Sequence, residues 1–164
     1  MTPLISSLLL SWSNQRDYAQ KLVADLSDAD MVSQPVAGVT MNHAAWTLGH
    51  LSAYPPVLAA MLRGTAFTDP MHSPYGKGSK PLPDVAAYPG KAAMLKEFLE
   101  GHDLLAATIE AVDPAVLERP IPLERWRERF PRIADATLYL MLSHEAAHLG
   151  QVSAWRRAGG RPSV

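Results

Sequence analysis

The sequence contains no cysteine among its 164 residues. This absence excludes disulfides, a thiolate nucleophile and cysteine-ligated zinc, and it is compatible with a reducing compartment, so we expect a cytoplasmic protein. A metal site would have to be built from histidine and carboxylate ligands. Any sulfur nucleophile would have to come from a second molecule.

An excess of charge of one sign is also missing. The net charge is −1, which gives no electrostatic footprint for nucleic acid. Residues 119–164 differ from the rest, because they hold 8 Lys and Arg against 4 Asp and Glu. Four arginines precede the last predicted helix: Arg125, Arg127, Arg129 and Arg132. They form either a solvated basic surface or a site for an anionic group of a substrate.

The sequence has no hydrophobic run long enough to span a bilayer. The apolar stretch at residues 4–10 is too short, and neither Lys nor Arg precedes it. We predict that it is the buried start of a helix and that the protein does not associate with a membrane.

Hydrophobic periodicity predicts four helices, over residues 3–26, 42–62, 91–112 and 133–158. Pro55 and Pro56 should kink or split the second helix near Tyr54, because two backbone donors are missing there. Long proline-containing connections follow helices 2 and 3, at residues 64–90 and 114–131, the latter with a short helix around 123–129. We therefore predict one all-α domain over residues 1–164, a four-helix bundle that is not simply up-down-up-down.

The segment His144-Glu145-Ala146-Ala147-His148 lies within the fourth predicted helix. Histidines four residues apart project from one face of a helix, with Cβ atoms about 5–6 Å apart, so both can bind one metal ion. Glu145 is a candidate general base, although a carboxylate that orients an imidazole fits the position equally well.

The same segment matches the HExxH pattern of zinc proteases. Gln151 and Ala154 occupy the positions where metzincins have Gly and His, and residues 149–164 contain no Asp, Glu, His or Cys. A third protein ligand must therefore come from upstream. A zinc protease is the weakest of the functional alternatives.

Four histidines lie upstream of this motif. His43 and His50 are seven residues, or about 10 Å, apart along their helix and cannot bind the same ion. His102 lies on the apolar stripe of the third helix, whereas His72 falls in a loop. Spacing alone leaves His50 and His102 as rivals for the third ligand position.

Several other side chains could surround such a site. Trp46, Tyr54 and Trp155 could wall a pocket, and Gln151 could lie in a second layer around His148. Each of them fits ordinary helix packing as well.

Two stretches of the sequence, read together, carry a family resemblance. They are Trp46-Thr47-Leu48-Gly49-His50-Leu51 and His144-Glu145-Ala146-Ala147-His148-Leu149-Gly150-Gln151, the second followed by Trp155-Arg156-Arg157. In this order they resemble the two motifs of the DinB-like (DinB/YfiT) superfamily. The resemblance extends over the whole chain in length, helix order and loop placement.

The resemblance implies an up-down-down-up four-helix bundle that is often a homodimer. It also implies a divalent ion, zinc or nickel, held by His50, His144 and His148. Some members of the superfamily use low-molecular-weight thiols as S-transferases or isomerases, and many have no known activity. The resemblance says nothing about DNA binding.

We therefore predict an open three-histidine metal site in an enzyme that acts on a small molecule, either a low-molecular-weight-thiol S-transferase or a hydrolase. One alternative is a non-catalytic, stress-related binding module in which the metal is structural. A second is a bundle without metal, whose histidines pack and form hydrogen bonds.

Overall fold

The computed structural model describes residues 2–164. Over this range the chain is helical and forms no strand, apart from an isolated bridge between Pro120 and Arg132. The α-helices are α1 (Pro3–Val23), α2 (Asp28–Met31), α3 (Ala44–Ser52), α4 (Pro55–Arg63), α5 (Lys91–Ala111), α6 (Pro114–Leu117), α7 (Ile133–Leu138) and α8 (Glu145–Ala158). A π-helical segment, Tyr139–His144, joins α7 to α8.

Four rods form the bundle: α1, the pair α3 and α4, α5, and the continuous run from α7 to α8. Helix α1 packs against α5 and α8, and α3 packs against the same two helices from the other side. Apolar side chains from all four rods fill the space between them. The predicted all-helical fold is confirmed.

Helix α1 ends at Val23 rather than at residue 26, because a new helix begins at once. Ser27 and Asp30 form a capping box, in which each side chain accepts a hydrogen bond from the other's backbone N–H. The prediction of a buried start was wrong, since Leu4 is 72% and Leu10 64% exposed. Leu8 alone of that stretch is buried, and Ile5 and Leu9 are partly buried against the core.

The second predicted helix is divided into α3 and α4, as Pro55 and Pro56 indicated. Its N-cap is His43 rather than the preceding asparagine, and Nδ1 of His43 accepts a hydrogen bond from the backbone N–H of Trp46 at 3.2 Å. The positive φ of Gly64, 68°, ends α4 in the left-handed conformation that glycine adopts readily.

The fourth predicted helix is helical throughout but irregular. The backbone carbonyl of Met141, in the π segment, accepts a hydrogen bond from Nε2 of Gln15, on α1, at 2.7 Å. Such widened turns change the rotational position of everything that follows. The segment ends at His144, so it sets the direction in which the histidine motif points.

The connection at residues 64–90 lies against α3. It contains two 3₁₀ turns, Pro70–His72 and Val85–Ala87. Nε2 of His43 donates to the carbonyl of Leu82 at 2.9 Å, and Nε1 of Trp46 donates to Oγ of Ser79 at 3.0 Å. These bonds hold the connection over the face of α3 that carries His50.

The second connection contains α6 and, where a short helix was predicted, a single 3₁₀ turn at Glu124–Trp126. None of the helices in the described part of the chain combines the length and the apolar character that crossing a membrane requires.

Candidate metal centre

Three histidines from two rods converge on one point. His50 comes from α3, His144 ends the π segment and His148 lies one turn further, on α8. Each offers a ring nitrogen, and these three atoms all lie within 4.8 Å of one another. The structure thus brings together the three histidines that the family resemblance implied. His50, and not His102, completes the cluster.

The spacing of these nitrogens suits a small divalent ion. Ligands at 2.0–2.1 Å in tetrahedral geometry lie about 3.3 Å from one another. Nε2 of His50 and Nε2 of His144 are 3.1 Å apart. Within residues 2–164 no fourth histidine and no carboxylate joins the group. An ion bound here would therefore keep at least one coordination position for another molecule.

The tautomer of His50 is fixed by the connection above it. Nδ1 donates to the backbone carbonyl of Tyr75 at 2.6 Å, which leaves Nε2 with a free lone pair toward His144. The indole of Trp46 stacks on the same imidazole, with ring centroids 4.8 Å apart and planes 9° from parallel. Both contacts hold the ring in the orientation that a metal ligand needs.

Burial keeps all three imidazoles neutral. Desolvation lowers the pKa of His50, and it lowers the pKa of His144 to about 3 and that of His148 to about 4. The proximity of the other two imidazoles adds to the effect on His144. Nδ1 of His148 is buried and has no hydrogen-bond partner. Three neutral imidazoles are the donor set of an open catalytic zinc site.

The cluster lies at the wall of a cavity of about 830 Å³. The cavity lies between the connection at residues 64–90 and the segment at 125–130, and aromatic and charged side chains surround the histidines. Residues that line it include Trp46, Tyr54, Lys77, Arg125, Trp126, Arg129 and Tyr139. The space is large enough for a small organic substrate beside the ion.

Glu145 points away from this cavity. Its side chain is buried, with Oε2 hydrogen-bonded to Nε2 of His102 at 3.1 Å. With His50 and His144 it borders only a narrow void in the core. Burial raises the pKa of Glu145 well above its ordinary value and lowers the pKa of His102 to about 3. Both shifts favour the neutral forms of the two hydrogen-bonded groups.

The other predicted pocket residues divide into two groups. Trp46 and Tyr54 line the cavity. Gln151 lies beside His148 and accepts a hydrogen bond from Asn42 at 2.9 Å, so it links the segment just before α3 to the middle of α8. The interpretation of Trp155 as a pocket wall is corrected: its Nε1 donates to the carbonyl of Ser33, and its ring lines a separate surface groove.

Several residues at the site could not be recognised in the sequence. The carbonyl of Tyr75 carries no residue-specific signal. Arg125 binds Asp69 through two hydrogen bonds, of 2.6 and 2.7 Å, and donates to the hydroxyl of Tyr54 at 2.8 Å. The basic cluster before the last helix was the only signal for Arg125.

Comparison with known protein families agrees with the geometry. The sequence model of the DinB superfamily matches residues 11–152, which include all three histidines of the cluster. The chain belongs to the DinB superfamily. No match was found among curated proteins. The predicted family membership is thus confirmed.

Proposed function

We propose that this DinB-superfamily chain is a metal-dependent enzyme that acts on a small molecule. Its cosubstrate would be a low-molecular-weight thiol, in an S-transferase reaction, or water, in a hydrolytic one. The observation that carries the proposal is the open three-histidine cluster at the wall of a cavity of about 830 Å³. A closed structural site would instead contain a fourth protein ligand.

The residues of the chain have distinct tasks in this proposal. His50, His144 and His148 would hold zinc or nickel, and the carbonyl of Tyr75 would keep the His50 ring in place. The chemistry that such an ion supplies is Lewis acidity toward a thiol or a water molecule. Trp46 would exclude water from one side of the reacting group.

We assign a positioning role to Glu145. Its carboxyl group is buried against His102 and does not line the cavity, so it is not placed to exchange a proton with a substrate there. The pair instead holds α8 against α5, which fixes the direction of the neighbouring His144. The arrangement also differs from that of a zinc protease, because the third histidine comes from upstream.

The assembly and location of the protein are further parts of the proposal. We propose the up-down-down-up arrangement, a homodimer and a cytoplasmic location. Membership of the superfamily supports the first two, and the lack of cysteine is compatible with the third.

Metal analysis of protein purified without a histidine tag, followed by cobalt substitution, tests the function. We expect one ion per chain after reconstitution. We also expect a thiolate-to-cobalt charge-transfer band when a small thiol is added, and its loss in His50→Ala. Binding of much less than one ion would refute any metal role. A cobalt spectrum that no thiol perturbs would refute the thiol reaction and leave the hydrolytic one.

A further inference from the structure

The four arginines before the last helix differ in whether their guanidinium groups have hydrogen-bond acceptors within the chain. Arg125 is bound to a carboxylate and a hydroxyl, as described above. Arg132 is bound to Glu118 at 2.9 Å and to Asp135 at 2.8 Å. Arg127 donates to the backbone carbonyl of Ile121 at 3.3 Å. These three arginines already have acceptors within the chain.

Arg129 is the exception. Its guanidinium carbon lies 4.3 Å from the ring centroid of Tyr139 and 5.1 Å from that of Phe130. Within residues 2–164 its side chain makes neither a salt bridge nor a hydrogen bond, although it lines the same cavity as the histidines. Aromatic faces attract a cation but cannot accept the five hydrogen bonds that a guanidinium offers. The rings orient the group and leave its donors available.

The position of Arg129 relates it directly to the metal centre. Tyr139, on which it stacks, also lies beside His144, with ring centroids 5.9 Å apart. Arg129 and all three histidines of the cluster line the same cavity. A molecule in the cavity can therefore contact Arg129 at one end while its other end faces the histidines.

The remaining charges around the cavity leave it positive. Lys77 lies on its wall, and Arg125 is neutralised by Asp69. Glu128 is the acidic residue that lines the cavity. Two cations without a carboxylate partner thus oppose one carboxylate along the wall of the cavity.

Building on the proposed function, we propose that the substrate carries an anionic oxygen group, a carboxylate or a phosphate, that binds the guanidinium of Arg129. The planar fork of an arginine matches either group through paired hydrogen bonds. The anionic end would then fix the position of the substrate, and its reactive end would face His50, His144 and His148.

Two titrations test this assignment. In the first, zinc-reconstituted protein is titrated calorimetrically with 3-mercaptopropionate, 2-mercaptoethanol and cysteamine, which are anionic, neutral and cationic. In the second, metal-free protein is titrated with succinate and with inorganic phosphate at low salt. Tryptophan fluorescence reports binding there, since Trp46 and Trp126 line the cavity. The second titration needs neither metal nor thiol, and it distinguishes carboxylate from phosphate.

The variants are Arg129→Gln, Arg129→Lys and, as a matched control, Arg119→Gln, whose side chain is exposed and outside the cavity. We expect wild-type protein to bind 3-mercaptopropionate about tenfold or more tightly than 2-mercaptoethanol, and cysteamine most weakly. Arg129→Gln should lose this preference and the response to succinate or phosphate. Arg129→Lys should keep part of it, and Arg119→Gln all of it.

The outcomes separate this inference from the proposed function. If no thiol binds but succinate or phosphate binds in an Arg129-dependent way, the thiol reaction fails and the anion site stands. If thiols bind without regard to charge, the metal function stands and the anion site is refuted. An anion preference that persists unchanged in Arg129→Gln also refutes it, and so does the absence of any anion response in wild-type protein.

Discussion

Nε2 of His102 lies 2.9 Å from Oε1 of Glu145, and both side chains are buried in the core. Trp12 supports this pair from α1, because its ring stacks on His102 at a centroid distance of 3.7 Å and its Nε1 donates to the carbonyl of His102. Three rods of the bundle therefore meet at the pair. The glutamate of the motif holds α8 in place, while its neighbour His144 turns toward the cavity.

Replacing Glu145 should affect stability more than metal binding. Glu145→Ala leaves Nε2 of His102 without a partner in the core, so we expect the free energy of unfolding to fall by about 1–3 kcal/mol. Glu145→Gln retains a hydrogen-bond donor of the same shape and should cost much less. Urea unfolding of the metal-free variants measures both changes.

Both Glu145 variants should still bind one ion per chain, because the carboxylate is not part of the histidine cluster. A Glu145→Gln variant that is as stable as wild type but no longer binds metal would show that the carboxylate is a ligand. Loss of turnover in a folded, metal-loaded Glu145→Gln would restore the prediction of a general base.

The three histidines of the cluster should be required for metal binding, and the other buried histidine should not. We expect His50→Ala, His144→Ala and His148→Ala each to lose the ion on dialysis, because two imidazoles cannot hold it tightly. His102→Gln should lower stability but retain the metal. His72→Ala, on the exposed surface of the long connection, serves as control. Retention of metal by His50→Ala would overturn the ligand assignment.

Gly49 allows the connection at residues 64–90 to approach α3. A Cβ at this position would lie 2.7 Å from the ring of Tyr75, whose carbonyl orients His50. Gly49→Ala should displace Tyr75 and weaken the orientation of His50, so we expect metal affinity to fall by about 10–100-fold. Competition with a chromophoric chelator measures the affinity.

Gly150 provides the matched control, because it lies in α8 and a Cβ there meets nothing within 4 Å. Gly150→Ala should leave metal affinity unchanged and raise stability by up to about 1 kcal/mol, through the better helix propensity of alanine. Equal effects of the two substitutions on metal affinity would refute the role of the Tyr75 contact.

The sequence predicted most of the helices, because apolar periodicity and proline positions are local signals. The pair His144 and His148 could be recognised for the same reason, since four-residue spacing places both on one face. The choice between His50 and His102 could not be made from spacing. It depends on how two rods are rotated against each other, and only the family resemblance indicated the answer.

Other features of the site depend on contacts between distant parts of the chain. Residues 139–144 have ordinary helix-forming character, and nothing in them indicates a π turn. The turn is accompanied by a hydrogen bond from Gln15, on another helix. The difference between Arg125 and Arg129 likewise depends on which of them Asp69 reaches.

Gln15 should contribute to the position of His144 through this hydrogen bond. Gln15→Ala leaves the carbonyl of Met141 without its donor, so we expect stability to fall by about 1 kcal/mol and metal affinity to fall with it. Asn14→Ala, at the neighbouring exposed position of α1, should change neither. Unchanged metal affinity in a destabilised Gln15→Ala would show that the bond serves the fold alone.

The stability of the metal-free protein should depend on pH through its buried imidazoles. The ordinary pKa of histidine is 6.5, whereas in the folded chain it is about 3 for His102 and His144 and about 4 for His148. Between pH 6.5 and 4.5 the unfolded chain therefore binds more protons than the folded one, and the free energy of unfolding should fall as the pH falls.

Glu145 acts with the opposite sign. Its pKa is raised above 4.5, so the stability it contributes is present below that pH and is lost as the pH rises. Three imidazoles outweigh one carboxyl group, so the free energy of unfolding still falls on acidification.

Urea unfolding of chelator-treated protein at several values between pH 6.5 and 4.5 measures the slope of this free energy against pH. His144→Ala should make the slope shallower, because one proton-binding difference is removed. An equal slope in wild type and His144→Ala would contradict the depressed pKa of His144.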